Sequence, residues 1–568
     1  MKASGFAPPA SSAWRRLGAP ALGVALVATL AFWLADAEPL AGARAAARRD
    51  AVPATTFASK KVRNGLFRAG RLFLQPPADL LAQRPLGRDG RCPELEIGAQ
   101  ALGPEQLPST VLVPAEARAR RDSPLVSLYL EPCRLRRLVD NPEGFGPEWE
   151  EPGWVSYFEG GELRFASPVA VRLQGGFSRK RPGYKSFRLI FRDRAGATGW
   201  PGRSLAPGVG DQPIEQVILH NDLRHDQRGI PWQLSNSLSY DIARHLGALA
   251  PETLPIRLLV NGEPRPPYVL TERIDKDWLR RRFGHDKFDV LRAKGAREPE
   301  EQALWDEAAR WAATAPAPLL ASEVEKYFDL DNLTRWYLTV LVCSTGDVFQ
   351  AVMTRDRRGE VSDGRWFFVA WDMDMSFRRP KQARTEGWKR DQFRFVMGRP
   401  PGDKMPPRIL LHRLLNEDPE YRSEFLRLFV EVVNHRVDER YLRERLDHYA
   451  HLARTLPVAD LRYQGELEKF FQLRFDEMFR QLSLHFQVGP PQPVTVHGPA
   501  GALRVDGYEV PAEYHGRYPS GLMVAVAVAE PWRSRLAAWR VDGELVAPSD
   551  RLELTVTGPL VIEAVMTP

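Results

Sequence analysis

At 568 residues the chain is too long for one hydrophobic core, so two or three domains are expected. With 43% apolar and 27% charged residues it is neither disordered nor fibrous. The net charge of +7 arises from 79 basic residues set against 72 acids along the whole chain, which argues against a nucleic-acid partner.

Leu17 to Ala35 is uncharged, mostly apolar and of bilayer-spanning length, and Lys2, Arg15 and Arg16 precede it. Those charges favour a cytoplasmic N-terminus. Residues 1–36 therefore read as a single-pass signal anchor in the cell membrane, with the bulk of the chain extracytoplasmic; the small residues from Ala31 to Ala37 keep a cleaved signal peptide open. Residues 37–57, rich in Ala, Arg and Pro, read as a linker. Of the three cysteines, Cys92 and Cys133 are the nearest pair for a bridge with Cys343 left over, and none has the spacing of a zinc site.

Residues 58–165 carry short apolar runs broken by Pro and Gly, such as Leu125 to Leu130, and read as strands and turns. Strands continue from 166 to about 275 around one helical stretch, Leu234 to Leu246, and Ile256 to Val260 runs into Asn261-Gly262, a hairpin turn signal. From about 300 to 345 and 405 to 486 apolar residues recur at helical spacing. This gives a core over residues 166–488. Residues 489–568 follow as a small β domain of short strands between Gly, Pro and Asp turns.

The chemistry concentrates in Trp371-Asp372-Met373-Asp374-Met375-Ser376-Phe377, which follows the apolar run Trp366 to Ala370. If the run is a strand that continues through the acids, its period of two puts Asp372 and Asp374 on one face, about 7 Å apart, close enough to hold Mg²⁺ together with phosphate oxygens and water. The other reading is a solvated strand end whose aspartates cap a turn. The basic run Arg378, Arg379, Lys381, Arg384, Lys389, Arg390 and Arg394 is either an anion contact or a solvated loop. Gly175-Gly176 between strands offers N–H groups to a phosphate, or only a turn, and Lys185 can add a point charge. Glu272 closes an apolar strand, where it orients Lys185, holds a second cation, or sits exposed. His220-Asn221-Asp222 closes another strand and is assigned fold-stabilising hydrogen bonds. Asp347, just beyond an apolar helix from about Leu333 to Val342, is the candidate proton acceptor and precedes Asp372 by about 25 residues, the order of a kinase catalytic loop and its metal aspartate.

Taken in order, Gln174-Gly175-Gly176-Phe177-Ser178-Arg179 with Lys185-Ser186-Phe187-Arg188, then Leu219 to Asp222, Val260-Asn261-Gly262 with Tyr268 to Glu272, Leu330-Asp331-Asn332, and Trp366 to Phe377, the chain resembles the CotH-type kinases, atypical protein kinases named after a spore coat protein. The resemblance covers roughly residues 166 to 380. It implies an α+β, two-lobed atypical protein-kinase-like core, a strand-rich N-lobe before a helix-rich C-lobe, in addition to the N-terminal transmembrane helix and the C-terminal β domain. It implies an ATP-dependent kinase using Mg²⁺ or Mn²⁺, with Ser or Thr hydroxyls of surface or envelope proteins as acceptors. Asp347 matches the catalytic-loop aspartate and Asp372 the metal aspartate, with Asp374 as second ligand or support. Gly175, Gly176, Arg179, Lys185 and Glu272 are the nucleotide-binding candidates. Two departures bear on activity: Gln174 stands where members commonly carry Arg, and Thr345-Gly346-Asp347 followed by Gln350 replaces Asn-x-Asp with a later Asn. Gln350 is the candidate replacement metal ligand, and without it the alternative is a catalytically inactive scaffold or nucleotide-binding protein. Gly516 to Pro519 and Trp539 to Gly543 resemble bacterial β-rich repeat modules of surface proteins, for which adhesion or spacing is the expected role.

Overall fold

The computed structural model describes residues 113–180, 183–191, 199–209, 212–221, 234–292, 295–296, 298–346, 350–377, 387–398, 405–456 and 463–567. The expected anchor, the linker, Cys92, Asp222 and Asp347 lie outside the described residues. Single-pass anchoring is corrected: among the described residues no helix is long and apolar enough to cross a membrane. The longest of them, Tyr463–Phe486, carries Glu468, Lys469, Arg474, Asp476, Glu477 and Arg480 along its length. Cys133 is disulfide-bonded, whereas Cys343 is buried and free.

The strand-rich half is not an open kinase-like lobe. Strands β1 (Leu125–Leu130), β2 (Glu151–Glu159), β3 (Glu162–Leu173), β4 (Phe187–Ile190), β5 (Gln216–His220), β6 (Thr253–Val260), β7 (Glu263–Pro264) and β8 (Tyr268–Glu272) form one sheet in the order β1-β2-β3-β4-β5-β8-β6-β7. β6 also pairs in parallel with β1, Leu125 opposite Arg257 through Leu128 opposite Val260. That second pairing closes seven strands into a barrel and corrects the two-lobed expectation to a mixed α/β chain built on a closed barrel. Closure removes the sheet edges, and alternate residues fill the interior: Val126, Leu128, Val155, Tyr157, Val171, Leu173, Phe187, Leu189, Val217, Leu219, Leu258 and Leu270 share one core. Residue 166 falls inside β3. Asn261 and Gly262 both take positive φ at the β6–β7 turn, as a two-residue hairpin requires.

A second sheet, β9 (Phe288–Arg292), β10 (Gly295–Ala296), β11 (Ala351–Asp356) and β12 (Trp366–Ala370), runs in the order β10-β9-β11-β12. Helices α1 (Ser235–His245), α2 (Lys276–Phe283), α3 (Leu330–Cys343) and α4 (Tyr463–Phe486) position the site. α3 starts at Asp329, whose side chain accepts from the Asn332 N–H at 2.9 Å, and is buried almost throughout. From Pro491 to Met566 the chain forms a five-stranded and a four-stranded sheet. Asn434 fixes them to the helical part by bonding both the N–H (3.1 Å) and the C=O (3.0 Å) of Arg517.

Candidate active site

β12 stops at Ala370, and Asp372 takes a left-handed φ of 56°, a conformation that Asp tolerates better than most residues. Asp372 and Asp374 therefore share a turn rather than a strand face, which replaces the period-of-two geometry. α1 sets this turn: the Asp372 N–H donates to the Tyr240 hydroxyl at 3.1 Å, and the Ser235 hydroxyl donates to the Asp374 carbonyl at 3.3 Å. Both bonds use main-chain atoms of the aspartates. Between them Met373 is buried as the plug that seats the turn.

The loop after α3 is strapped to the same turn. Ser344 caps the helix in the left-handed conformation, the Gly346 N–H donates to the Met375 carbonyl at 3.0 Å, and the Phe377 N–H donates to the Cys343 carbonyl at 3.0 Å. A side chain at Gly346 would press on Met375, whose Cε lies 2.9 Å from the Cβ position. Asp347 follows directly in the chain and lies outside the described residues. Gln350 immediately precedes β11, and because Ala351 pairs with Ala370, Gln350 and Trp371 are the residues just beyond the last pair of that hairpin. The hairpin thus brings the end of the Asp347 segment beside the start of the acid turn. Among the described residues no three acidic, His or Cys side chains form a metal-holding group.

Two side chains with no expected role hold this arrangement. Asn332 bonds both backbone groups of Phe368 on β12, donating to its carbonyl at 3.1 Å and accepting from its N–H at 2.7 Å, so α3 is fixed to the strand that leads into the acid turn. Arg474 on α4 is fully buried and donates to the Leu341 carbonyl at 2.7 and 2.9 Å, to Trp388 at 2.9 Å and to Arg390 at 2.8 Å. Burial pulls this guanidinium down to about 10, yet it remains a cation at the C-terminal end of α3. Below it, Gln392 donates to the Thr345 carbonyl at 2.6 Å and Ser344 to Gly387 at 2.7 Å. Of the basic run, Arg390 reaches the Gly346 carbonyl at 3.4 Å, and residues 378–386 lie outside the described residues. Burial pushes the Cys343 thiol up to about 12, so it stays a thiol at neutral pH.

The barrel-side candidates divide. Gly175 has φ 107°, and a side chain there would collide with Ser178; a Cβ at Gly176 meets open space. Arg179 is buried, donates to the Gly144 carbonyl and lies 4.1 Å over the Phe145 ring. Lys185 donates to the Arg179 carbonyl at 2.8 Å, and burial lowers its pKa. Glu272 is fully buried and bonds Arg281 (2.8 Å), Arg282 (3.0 Å), the Trp278 indole (3.0 Å) and the Glu252 N–H (2.9 Å). Its carboxylate belongs to this α2 network, and the structure does not bring it to Lys185. Asn221 bonds on the barrel side, its N–H to the Ser186 hydroxyl at 2.9 Å and its amide to the Tyr184 carbonyl at 2.8 Å, whereas His220 joins the barrel to α1, lying 3.4 Å from Asn236, next to the Ser235 that holds Asp374. The sequence signal for this joint is a helix, α1, that buries Ser235, Asn236, Ser237 and Ser239 in a row.

Residues 171–483, more than half of the chain, match the family model described as CotH kinase protein. The match ends before the C-terminal sheets. No curated protein matches the chain.

Proposed function

The chain belongs to the CotH kinase family, and from that premise we propose that it transfers the γ-phosphoryl group of ATP, with Mg²⁺ or Mn²⁺, to Ser or Thr hydroxyls of protein acceptors. The hydroxyl oxygen attacks the γ-phosphorus, its proton passes to Asp347, and ADP leaves with the β–γ bridging oxygen. Asp372 and Asp374 on one anchored turn, with Gln350 just ahead of the adjacent strand, fit a hard cation that takes one or two carboxylates and completes its shell with phosphate oxygens and water. Bound there, the cation neutralises charge on the phosphates. Gly175, Gly176 and Lys185 remain the nucleotide contacts on the barrel side, while Arg179 and Glu272 are assigned to the fold. The observation that supports this reading most is the double main-chain strap between the 343–346 loop and the 371–377 turn, which holds Gly346, the residue before Asp347, at Met375, the residue after Asp374.

The test is incubation of the purified protein with ATP labelled at the γ-position and either cation, followed by a search for label on the protein and on an added protein mixture. Metal-dependent incorporation is expected. Metal-dependent ATP binding with no transfer would instead identify a nucleotide-binding scaffold, and absence of binding would overturn the reading.

A further inference from the structure

The acid turn has a basic counterpart that the phosphotransfer reading leaves unused. Arg172 on β3 and Arg188 on β4 are direct register partners. They lie on the outer face of the barrel, since Val171, Leu173, Phe187 and Leu189 fill its interior. Like charges directly opposite each other destabilise a sheet, so this pair needs a reason. Arg273, the residue after β8, and Arg292, the last of β9, join them: Arg292 donates to the Ile274 carbonyl, next in sequence to Arg273. Burial, then Arg172 and Arg292, pull Arg188 down to about 9. Burial and the same neighbouring guanidinium groups lower Arg273 as well.

Among the described residues the acids beside Arg273 and Arg292 are shared with other groups. Glu150 lies 3.5 Å from Arg172 and Asp275 lies 3.6 Å from Arg273. Asp275 also caps α2, accepting from the Trp278 N–H at 3.0 Å. Glu301 acts on Arg292 but pairs with Lys276 at 2.9 Å and Arg357 at 3.5 Å. Arg188 spends its Nε and Nη2 on the neutral Gln174, at 3.0 and 2.7 Å. Among the described residues Arg273 makes no hydrogen bond, although its side chain is only 13% exposed. The cluster also stands at the right place. Leu291, Met353 and Phe368 form one row across β9, β11 and β12, so Arg292, Val352 and Val369 form the next, toward the end where Gln350 and the acid turn begin. Phe288, Val290, Val352 and Val369 share one core, which puts Arg292 on that face of the sheet.

We propose that Arg172, Arg188, Arg273 and Arg292 form the wall that binds the polyphosphate chain of the nucleotide, at the end of the second sheet where the acid turn stands. The proposal rests on the phosphotransfer reading for the identity of its ligand. Guanidinium groups suit this role because each offers paired donors to phosphate oxygens and stays charged when partly buried. The phosphates would place negative charge beside the paired Arg172 and Arg188, and Asp372 and Asp374 would hold the cation that neutralises the rest of it.

The experiment measures binding of tripolyphosphate, inorganic phosphate, ATP and adenosine to the full chain and to Arg273→Gln, Arg292→Gln and Arg273→Lys, with each variant's melting temperature without ligand. Tripolyphosphate and ATP should bind the parent protein, and each Gln variant should weaken both by about tenfold or more, as loss of one charge-assisted contact predicts, with Arg273→Lys in between. The unliganded melting temperatures show that each variant is folded under the binding conditions, since Arg292→Gln gives up the bond to the Ile274 carbonyl and Arg273→Gln the pair with Asp275. Equal ATP affinity in the parent and both Gln variants would overturn the wall while leaving phosphotransfer intact. Inorganic phosphate bound as tightly as tripolyphosphate would overturn the polyphosphate assignment. Tripolyphosphate binding that needs the arginines, in a protein that neither binds ATP with metal nor transfers label, would uphold the wall and remove the phosphotransfer reading.

Discussion

Asp372 and Glu272 show how far a carboxylate's role depends on what surrounds it. Asp372 is placed by main-chain bonds on a turn, and Asp372→Asn removes one of the charges facing a cation, so metal-dependent ATP affinity should be lost in a protein that still folds. Equilibrium binding with and without Mg²⁺ checks this, and unchanged affinity would remove the metal assignment. Asp347→Asn should instead leave ATP affinity nearly intact and lower turnover by about 10² or more, because it takes away a proton acceptor and not a ligand. Equal loss of binding in both variants would show that the two roles are one. Glu272, fully buried between Arg281 and Arg282, is a matter of stability. Burial alone would raise its pKa, but Arg282, Arg281 and the Glu252 N–H together hold it below its ordinary value. Its contribution is therefore complete above the ordinary carboxylate value and is lost as the pH falls through the lowered one. Glu272→Gln leaves Arg281 with a missing partner in a dry site and should cost about 3 kcal/mol in denaturant unfolding at neutral pH. The parent and variant curves should converge in acid.

At the scale of elements, α3 carries the Asp347 loop and is held at both ends, by Asn332 against β12 and by Arg474 from α4. Arg474→Met keeps an apolar stem of similar length but leaves the Leu341, Trp388 and Arg390 carbonyls short of donors, at about 1–3 kcal/mol for each group left buried and unsatisfied. A fall in stability on the order of 3 kcal/mol is expected, with turnover falling further than ATP affinity because the loop before Asp347 loosens while the acid turn keeps its α1 bonds. A variant with parent-like turnover would show that the clamp is incidental. Much of this layer is legible in the sequence: the apolar run from about Leu333 to Val342 is the interior of α3, Trp366 to Ala370 is β12, and Asn261-Gly262 is the hairpin turn. Whether Asp372 and Asp374 lie on a strand face or on a turn is not legible, because the left-handed Asp372 is held by a bond to Tyr240, a residue more than a hundred positions away. Arg474 is equally hidden, since an arginine in a charged helix carries no sign that its partners are backbone carbonyls of another element.

For the whole molecule, the decisive feature is the parallel pairing of β1 with β6, which joins segments far apart in sequence and has no local signature. Composition and periodicity identify both strands, and they suggest nothing about closure, so a boundary at residue 166 looks natural although it falls inside β3. The barrel interior depends on what precedes that point: Val126, Leu128, Leu130, Val155 and Tyr157 are all at or near zero exposure. Residues from 166 on supply eight of the twelve residues of β3 and leave β3 and β6 with open edges. A chain that begins at residue 166 loses β1 and β2 and exposes the Val171, Leu189 and Leu258 side of the sheet, which favours aggregation over folding. A chain that begins at residue 113 retains every strand of the barrel. Expression of the two, followed by size-exclusion chromatography and thermal melting, should give a soluble, cooperatively melting protein from residue 113 and an aggregated product from residue 166. A monodisperse, cooperatively melting chain from residue 166 would mean that the barrel closure contributes little to the fold and that the strands after β3 form an independent lobe.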